Sequence, residues 1–190
     1  MKVSSVDIYG LHKSIKASKY PMSVDVSECD GNITNTTKKL GTAEPGSGHD
    51  QFLTGVIVQF DLTCSIKMWT EAERYHFLDF ISSQSTMHRI TKLDPNKQCN
   101  EYVESSVIKT LQKLIDKYNE DPTPDKYLRV LYNVPTGFEL TARMTTNYRQ
   151  LKTIYKQRKH HRLPEWRKFC AWITTLPCFE ELCLKEKNDD

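Results

Sequence analysis

The chain has 190 residues, 38% of them hydrophobic, and carries 27 Lys and Arg against 24 Asp and Glu for a net charge of +3. That length suits a single domain able to bury a core, and the near balance of charge gives a polyanion partner little support. No apolar run approaches the ~20 residues of a membrane span, residues 1–7 lack the apolar stretch of a signal peptide, and the six cysteines follow no CxxC spacing, so a cytoplasmic protein with free thiols is expected.

In chain order, residues 3–9 read as a strand and 10–19 as a short helix with a basic face. The polar stretch 27–50, ending in Pro45-Gly46-Ser47-Gly48-His49-Asp50, reads as a long flexible loop. Residues 54–66 are the clearest strand: Val56, Val58, Phe60, Leu62, Cys64 and Ile66 alternate with Ile57, Gln59, Asp61, Thr63 and Ser65. Thr70 is a good N-cap with Glu71 and Glu73 in the first turn, which predicts a helix of about four turns to near Ser85. A Pro-containing loop then runs to Cys99. Val103, Val107, Leu111, Leu114, Ile115 and Tyr118 give 101–119 one helical stripe, stopped by Asp121-Pro122-Thr123-Pro124. Residues 127–134 read as a strand before a turn at Pro135-Thr136-Gly137, and 145–160 as a long helix. A last helix opens at Pro164, with Trp166, Phe169, Cys170 and Ile173 on one stripe. The charged tail, about 185–190, is expected to fray. The whole reads as one α+β domain.

Asn147 and Arg158 are eleven residues apart, which on a helix returns them to within about 20° of one face. An amide can read a heterocycle edge and a guanidinium can grip phosphate, although a half-exposed helix with polar ends has the same spacing. Gln84, His88 and Arg89 set an amide, an imidazole and a cation in one short stretch, suited either to an anionic ligand or to a plain helix C-terminus. His49 closes a Gly-rich loop that lacks the GxxxxGK[ST] of a phosphate cradle. Cys99 follows Lys97, which could lower its pKa, but a structural or merely exposed thiol fits as well. His160, His161 and Glu165 lack both the HExxH pattern and a second cluster, so no metal is expected. Arg143, Arg149, Lys152, Lys156, Arg158, Lys159, Arg162, Arg167 and Lys168 form a basic stretch able to track a phosphate backbone, without a nucleic-acid motif beside it.

Taken in order over roughly residues 3–183, these features resemble the flavin-dependent thymidylate synthases. That family has a loop histidine before its central strand, matched by His49 ahead of Phe52-Leu53-Thr54-Gly55. A strand and helix then lead to a signature of the form RHRxxSxNxxSxRY, to which Met87-His88-Arg89-Ile90-Thr91 and Cys99-Asn100-Glu101-Tyr102 correspond, with Gln84 at the glutamine three positions before it. A strand ending in proline, an asparagine twelve residues later and an arginine eleven beyond that match Pro135, Asn147 and Arg158. Departures are equally visible. Met87 stands at the first arginine of the signature, Lys92 at a serine, Cys99 at the second serine, Glu101 at the last arginine and Leu131 at the arginine before the proline. Arg129, on the same side of a strand, or Arg143 could substitute for that last one.

The resemblance implies an antiparallel or mixed sheet packed with long helices, and a homotetramer with active sites between subunits. It implies FAD held by His49, His88, Arg89, Asn147 and Arg158, and a pyrimidine nucleotide such as dUMP held near Gln84, Cys99, Tyr102, Arg129 and Arg158, with Arg158 acting on the reacting nucleotide. The implied reaction is reductive methylation at C5, with methylenetetrahydrofolate as carbon donor and NADPH as reductant. Two other readings stand beside it: a non-catalytic flavin- or nucleotide-binding module, and a nucleic-acid-binding protein using the basic stretch.

Overall fold

The structure, a computed structural model, describes residues 1–185; beyond Lys185 the tail expected to fray lies outside the described residues. The first third of the chain lays down β1 (Lys2–Tyr9), α1 (Leu11–Ala17), α2 (Asn35–Gly41) and the central strand β2 (Ile57–Ser65). Next come α3 (Ile66–Ala72), β3 (Asp79–Ser83), α4 (Thr86–Arg89), α5 (Pro95–Gln98), α6 (Ser105–Glu120) and α7 (Pro124–Leu131). The chain then adds β4 (Glu139–Asn147), α8 (Tyr148–Arg158), α9 (Pro164–Ile173) and α10 (Phe179–Cys183). The four strands form one antiparallel sheet in the order β1-β2-β4-β3.

Period-two alternation sends Val58, Phe60, Leu62 and Cys64 of β2, with Ala142 and Met144 of β4, to one face, each at most 1% exposed. Against that face pack Tyr148, Leu151 and Ile154 of α8, Trp166, Phe169 and Ile173 of α9, and Phe179 and Leu182 of α10. A smaller core gathers Ile90, Leu111 and Ile115 of α6, Val130 of α7, Phe138 and Leu140. The opposite face of the sheet is polar and half-buried. There Thr63 and Thr141 share a hydroxyl hydrogen bond of 2.8 Å, and Arg143 pairs with Asp7 at 2.5 Å and Asp61 at 3.4 Å. No helix of the described residues is long and apolar enough to cross a membrane, and all six cysteines are free thiols.

Four expected elements differ, each because a local cap outranks the pattern read from the sequence. Residues 127–134 are not a strand: Thr123 caps α7 by accepting from Lys126 N–H at 3.3 Å, Pro124 takes the first helical position, and Val130 turns inward. The helix expected from Thr70 starts earlier, because Ser65 Oγ accepts from Met68 N–H at 3.2 Å. It ends at Ala72, and its expected second half holds the edge strand β3. The segment expected to be helical from 145 begins as the end of β4, and α8 starts only after Asn147. The loop 27–50 contains α2, capped by Thr34. Gly41 ends that helix where any side chain would strike Leu182: a Cβ there would sit 2.1 Å from its carbonyl oxygen.

Candidate functional site

Asn147 is both the last residue of β4 and the N-cap of α8. Its Oδ1 accepts from Gln150 N–H at 2.9 Å, and the residue is 9% exposed, so this amide is committed to starting the helix. Arg158 ends the same helix about 16 Å further along its axis, at 1.5 Å per residue. The two therefore do not converge on one small group.

Arg158 sits in a cluster assembled from three elements. Its guanidinium carbon lies 5.0 Å from the Trp166 ring centre and 5.6 Å from that of Tyr75, within the range of cation–π attraction. Nε donates to the Tyr75 hydroxyl at 2.8 Å and Nη1 to Glu71 Oε2 at 3.2 Å. The same carboxylate oxygen accepts from Trp166 Nε1 at 3.0 Å and lies 3.6 Å from His161 Nε2, while Glu71 Oε1 is 3.4 Å from Lys67 Nζ. Burial opposes the charge on Glu71. The Trp166 hydrogen bond, His161, Lys67 and Arg158 outweigh it and hold the carboxyl below its ordinary range. The frame is rigid because Glu165, at the first turn of α9, accepts from Ser65 N–H at 2.8 Å and from Ser65 Oγ at 2.5 Å, tying α9 to the junction of β2 and α3.

The other expected site residues are dispersed. His49 is exposed beside the buried Asp50. Gln84 spends its amide oxygen on Thr141 N–H at 2.8 Å, prolonging the β3–β4 pairing. His88 and Arg89 are exposed on α4, and their side chains make no hydrogen bond or ion pair among the described residues. Cys99 is half-buried and bridges to Phe138, and burial raises its thiol pKa, which disfavours the thiolate. Tyr102, 70% exposed, lines with Glu101, Lys67 and Lys168 a cleft of about 830 Å³. Arg129 does not lie on a strand: it is an exposed residue of α7 paired with Asp125 at 2.8 Å. The proline landmark Pro135 likewise follows a helix and not a strand.

The helix directly after the central strand is α3, which leads into Arg74-Tyr75-His76, with Glu71 three residues before Arg74. Tyr75 and Glu71 are the residues that reach Arg158. Arg74 and His76 are exposed, and their side chains have no hydrogen-bond or ion-pair partner among the described residues.

Much of the basic stretch is engaged with other residues of the chain. Arg143 pairs with Asp7 and Asp61, Arg149 with Asp50, Lys156 with Glu44 and Arg158 with Glu71. Arg167 binds the carbonyls of His161 and Arg162, and Lys152 is buried. Lys159, Arg162 and Lys168 are exposed and have no ion pair among the described residues, and Arg162 and Lys168 line the 830 Å³ cleft with Lys67.

No family model matches the sequence, and no curated protein is significantly similar to it. Solved structures are similar in fold. A flavin-dependent thymidylate synthase ThyX from Helicobacter pylori, crystallised with FAD and dUMP, superposes with a TM-score of 0.76 over 97% of this chain and 100% of that one, at 16% identity. A second structure of Thymidylate Synthase X (ThyX) from Helicobacter pylori with FAD and dUMP gives a TM-score of 0.77 over 98% of each chain, also at 16% identity. The chain therefore has the α+β fold of ThyX across nearly its whole length.

Proposed function

We propose that the chain is a divergent flavin-dependent enzyme of the thymidylate synthase kind, acting at C5 of the pyrimidine ring of dUMP or a related compound. The observation that carries the reading is the Arg158 cluster: within a fold shared end to end with ThyX, the arginine at the close of α8 is brought onto the residues that follow β2. The residues present fit FAD at its anionic end, where Arg74 and His76 offer an unpaired cation and an unpaired imidazole after α3. His88 and Arg89 are a second exposed pair with the same chemistry. When bound, the flavin supplies hydride transfer. The protein's own contribution is to hold the Arg158 guanidinium rigid between two rings, so that its free edge is oriented before a ligand arrives. Methylenetetrahydrofolate and NADPH are the co-substrates of this reading. Assembly into a homotetramer, with sites shared between subunits, belongs to it as well.

A second reading, a flavin- or nucleotide-binding module without catalysis, is favoured by one observation: the carboxylate of Glu71 already occupies Arg158. Complementation separates the two. A thymidine-auxotrophic strain that retains thymidine kinase is expected to grow without thymidine when it expresses this chain, and not when it expresses Arg158→Ala. Failure to grow despite soluble expression overturns the catalytic reading in favour of the binding module.

A further inference from the structure

Lys152, Tyr155, Lys156 and Lys159 recur at helical spacing along one stripe of α8 and its C-cap. With α2 and α10 they enclose an open cleft of about 1290 Å³. Among the described residues its walls carry six lysines, Lys38, Lys39, Lys152, Lys156, Lys159 and Lys185, against three glutamates, Glu44, Glu180 and Glu181. The 830 Å³ cleft has the opposite balance, with Lys67, Arg162 and Lys168 against Glu101, Glu104, Glu139 and Glu165. Arg74, His76, His88 and Arg89 line neither. The concave space with a surplus of positive side chains is therefore the one between α2, α8 and α10.

Some of that surplus is committed. Lys152 is spent on Asp50 and Lys38 on Glu181, each at 2.8 Å. Lys39 of α2 and Lys159 have no ion pair among the described residues, and Lys159 rests over the Tyr155 ring at 5.7 Å. Against them stands Glu180, an acid without an ion pair among the described residues. Glu44 is shared: it accepts from Lys185 Nζ at 2.9 Å and from Lys156 Nζ at 3.0 Å, and these two lysines hold its carboxyl down to about 2. A carboxylate bridging two ammonium groups marks a position that suits an anion. Its side chain is 62% exposed, and the loop after it is unconfined, since a Cβ at Gly46 or Gly48 would meet nothing within 4 Å. Glu44 can therefore swing out with little loss of packing.

We propose that this cleft binds an oligophosphate of the triphosphate class, with Lys39, Lys156, Lys159 and Lys185 as its cations and Glu44 as the built-in anion that the ligand displaces. The cleft is far larger than one phosphate, and its uncommitted cations lie on two walls, α2 and the end of α8. A chain of charged groups matches them better than a single group does. The site is independent of the reading of the Arg158 cluster.

The test is calorimetric titration of inorganic triphosphate into the wild type and three sets of variants, each checked for an unchanged melting temperature. The wild type is expected to bind saturably. Lys39→Gln with Lys159→Gln is expected to lose roughly tenfold in affinity, and Glu44→Gln to gain about threefold to fivefold by removing the internal competitor. Arg74→Ala with His76→Ala, which removes the cations assigned to the flavin, is expected to change nothing. A nucleoside triphosphate that binds as tightly as inorganic triphosphate supports recognition of the phosphates alone. One that binds tighter, with the gain lost in Tyr155→Leu, supports a nucleotide as the source. No binding by the wild type overturns the proposal, as does affinity unmoved by the double lysine change or by Glu44→Gln. So does an equal loss in the Arg74 and His76 variant, which would put the triphosphate at the flavin's cations.

Discussion

Lys152→Met is expected to lower the free energy of unfolding by about 3–5 kcal/mol, the usual result of removing one partner from a buried ion pair. Asp50 is 1% exposed and binds Lys152 Nζ at 2.8 Å and Arg149 Nε at 2.9 Å. Lys152 Nζ also donates to the carbonyls of Gly41 at 2.8 Å and Ala43 at 2.6 Å, so one ammonium group fastens the end of α2 to α8. Methionine fills the same space but leaves the carboxylate with Arg149 alone and two inward carbonyls without their donor. Urea unfolding followed by circular dichroism is expected to show the midpoint falling by roughly 1.5–2.5 M at an m-value near 2 kcal/mol/M. A loss below about 1 kcal/mol would mean that Arg149 compensates fully and that the α2 segment is not fastened through Lys152.

Arg158→Ala is expected to weaken ligand binding by roughly 10- to 100-fold, as loss of a charge-assisted hydrogen bond of about 1.5–3 kcal/mol implies. The cost in stability is smaller, about 1–2 kcal/mol, because Glu71 keeps Trp166 Nε1, Lys67 and His161 as partners. Arg158→Lys is the informative companion. It restores the charge but neither the planar stack over Trp166 nor the separate donor for Tyr75, so it should recover stability more fully than binding. Unchanged binding by Arg158→Ala, measured by flavin fluorescence quenching and by titration with dUMP and deoxyuridine, would show that the cluster is purely structural.

The elements legible in the sequence are those whose pattern is set by the main core. β2 alternates through Cys64 because one face meets α8 and α9 and the other is only half-buried, and the stripe of α6 is similarly regular. β4 has the same alternation in Leu140, Ala142, Met144 and Thr146, but small and hydroxylated residues weaken it enough for a helix to be read across its end. β3 has no burial pattern at all, since all five residues are exposed on a sheet edge. It exists through backbone pairing to β4, which no side-chain periodicity announces. At the site, the spacing of Asn147 and Arg158 was read as two positions on one helix, whereas Asn147 is the extended last residue of β4 that caps α8 and only Arg158 lies on the helix. The partners of Arg158 could not be read from the same helix, because Glu71, Tyr75 and Trp166 come from α3, the turn after it and α9.

The visible absorption spectrum of the purified protein, after mixing with FAD and desalting, tests the flavin reading most directly. Absorbance near ~450 nm that survives desalting at about one flavin per chain, and that is lost on replacing Arg74 and His76 together with Ala, is the predicted result. A colourless protein that passes FAD straight through would contradict it, and would mean that the ThyX fold persists here without its cofactor.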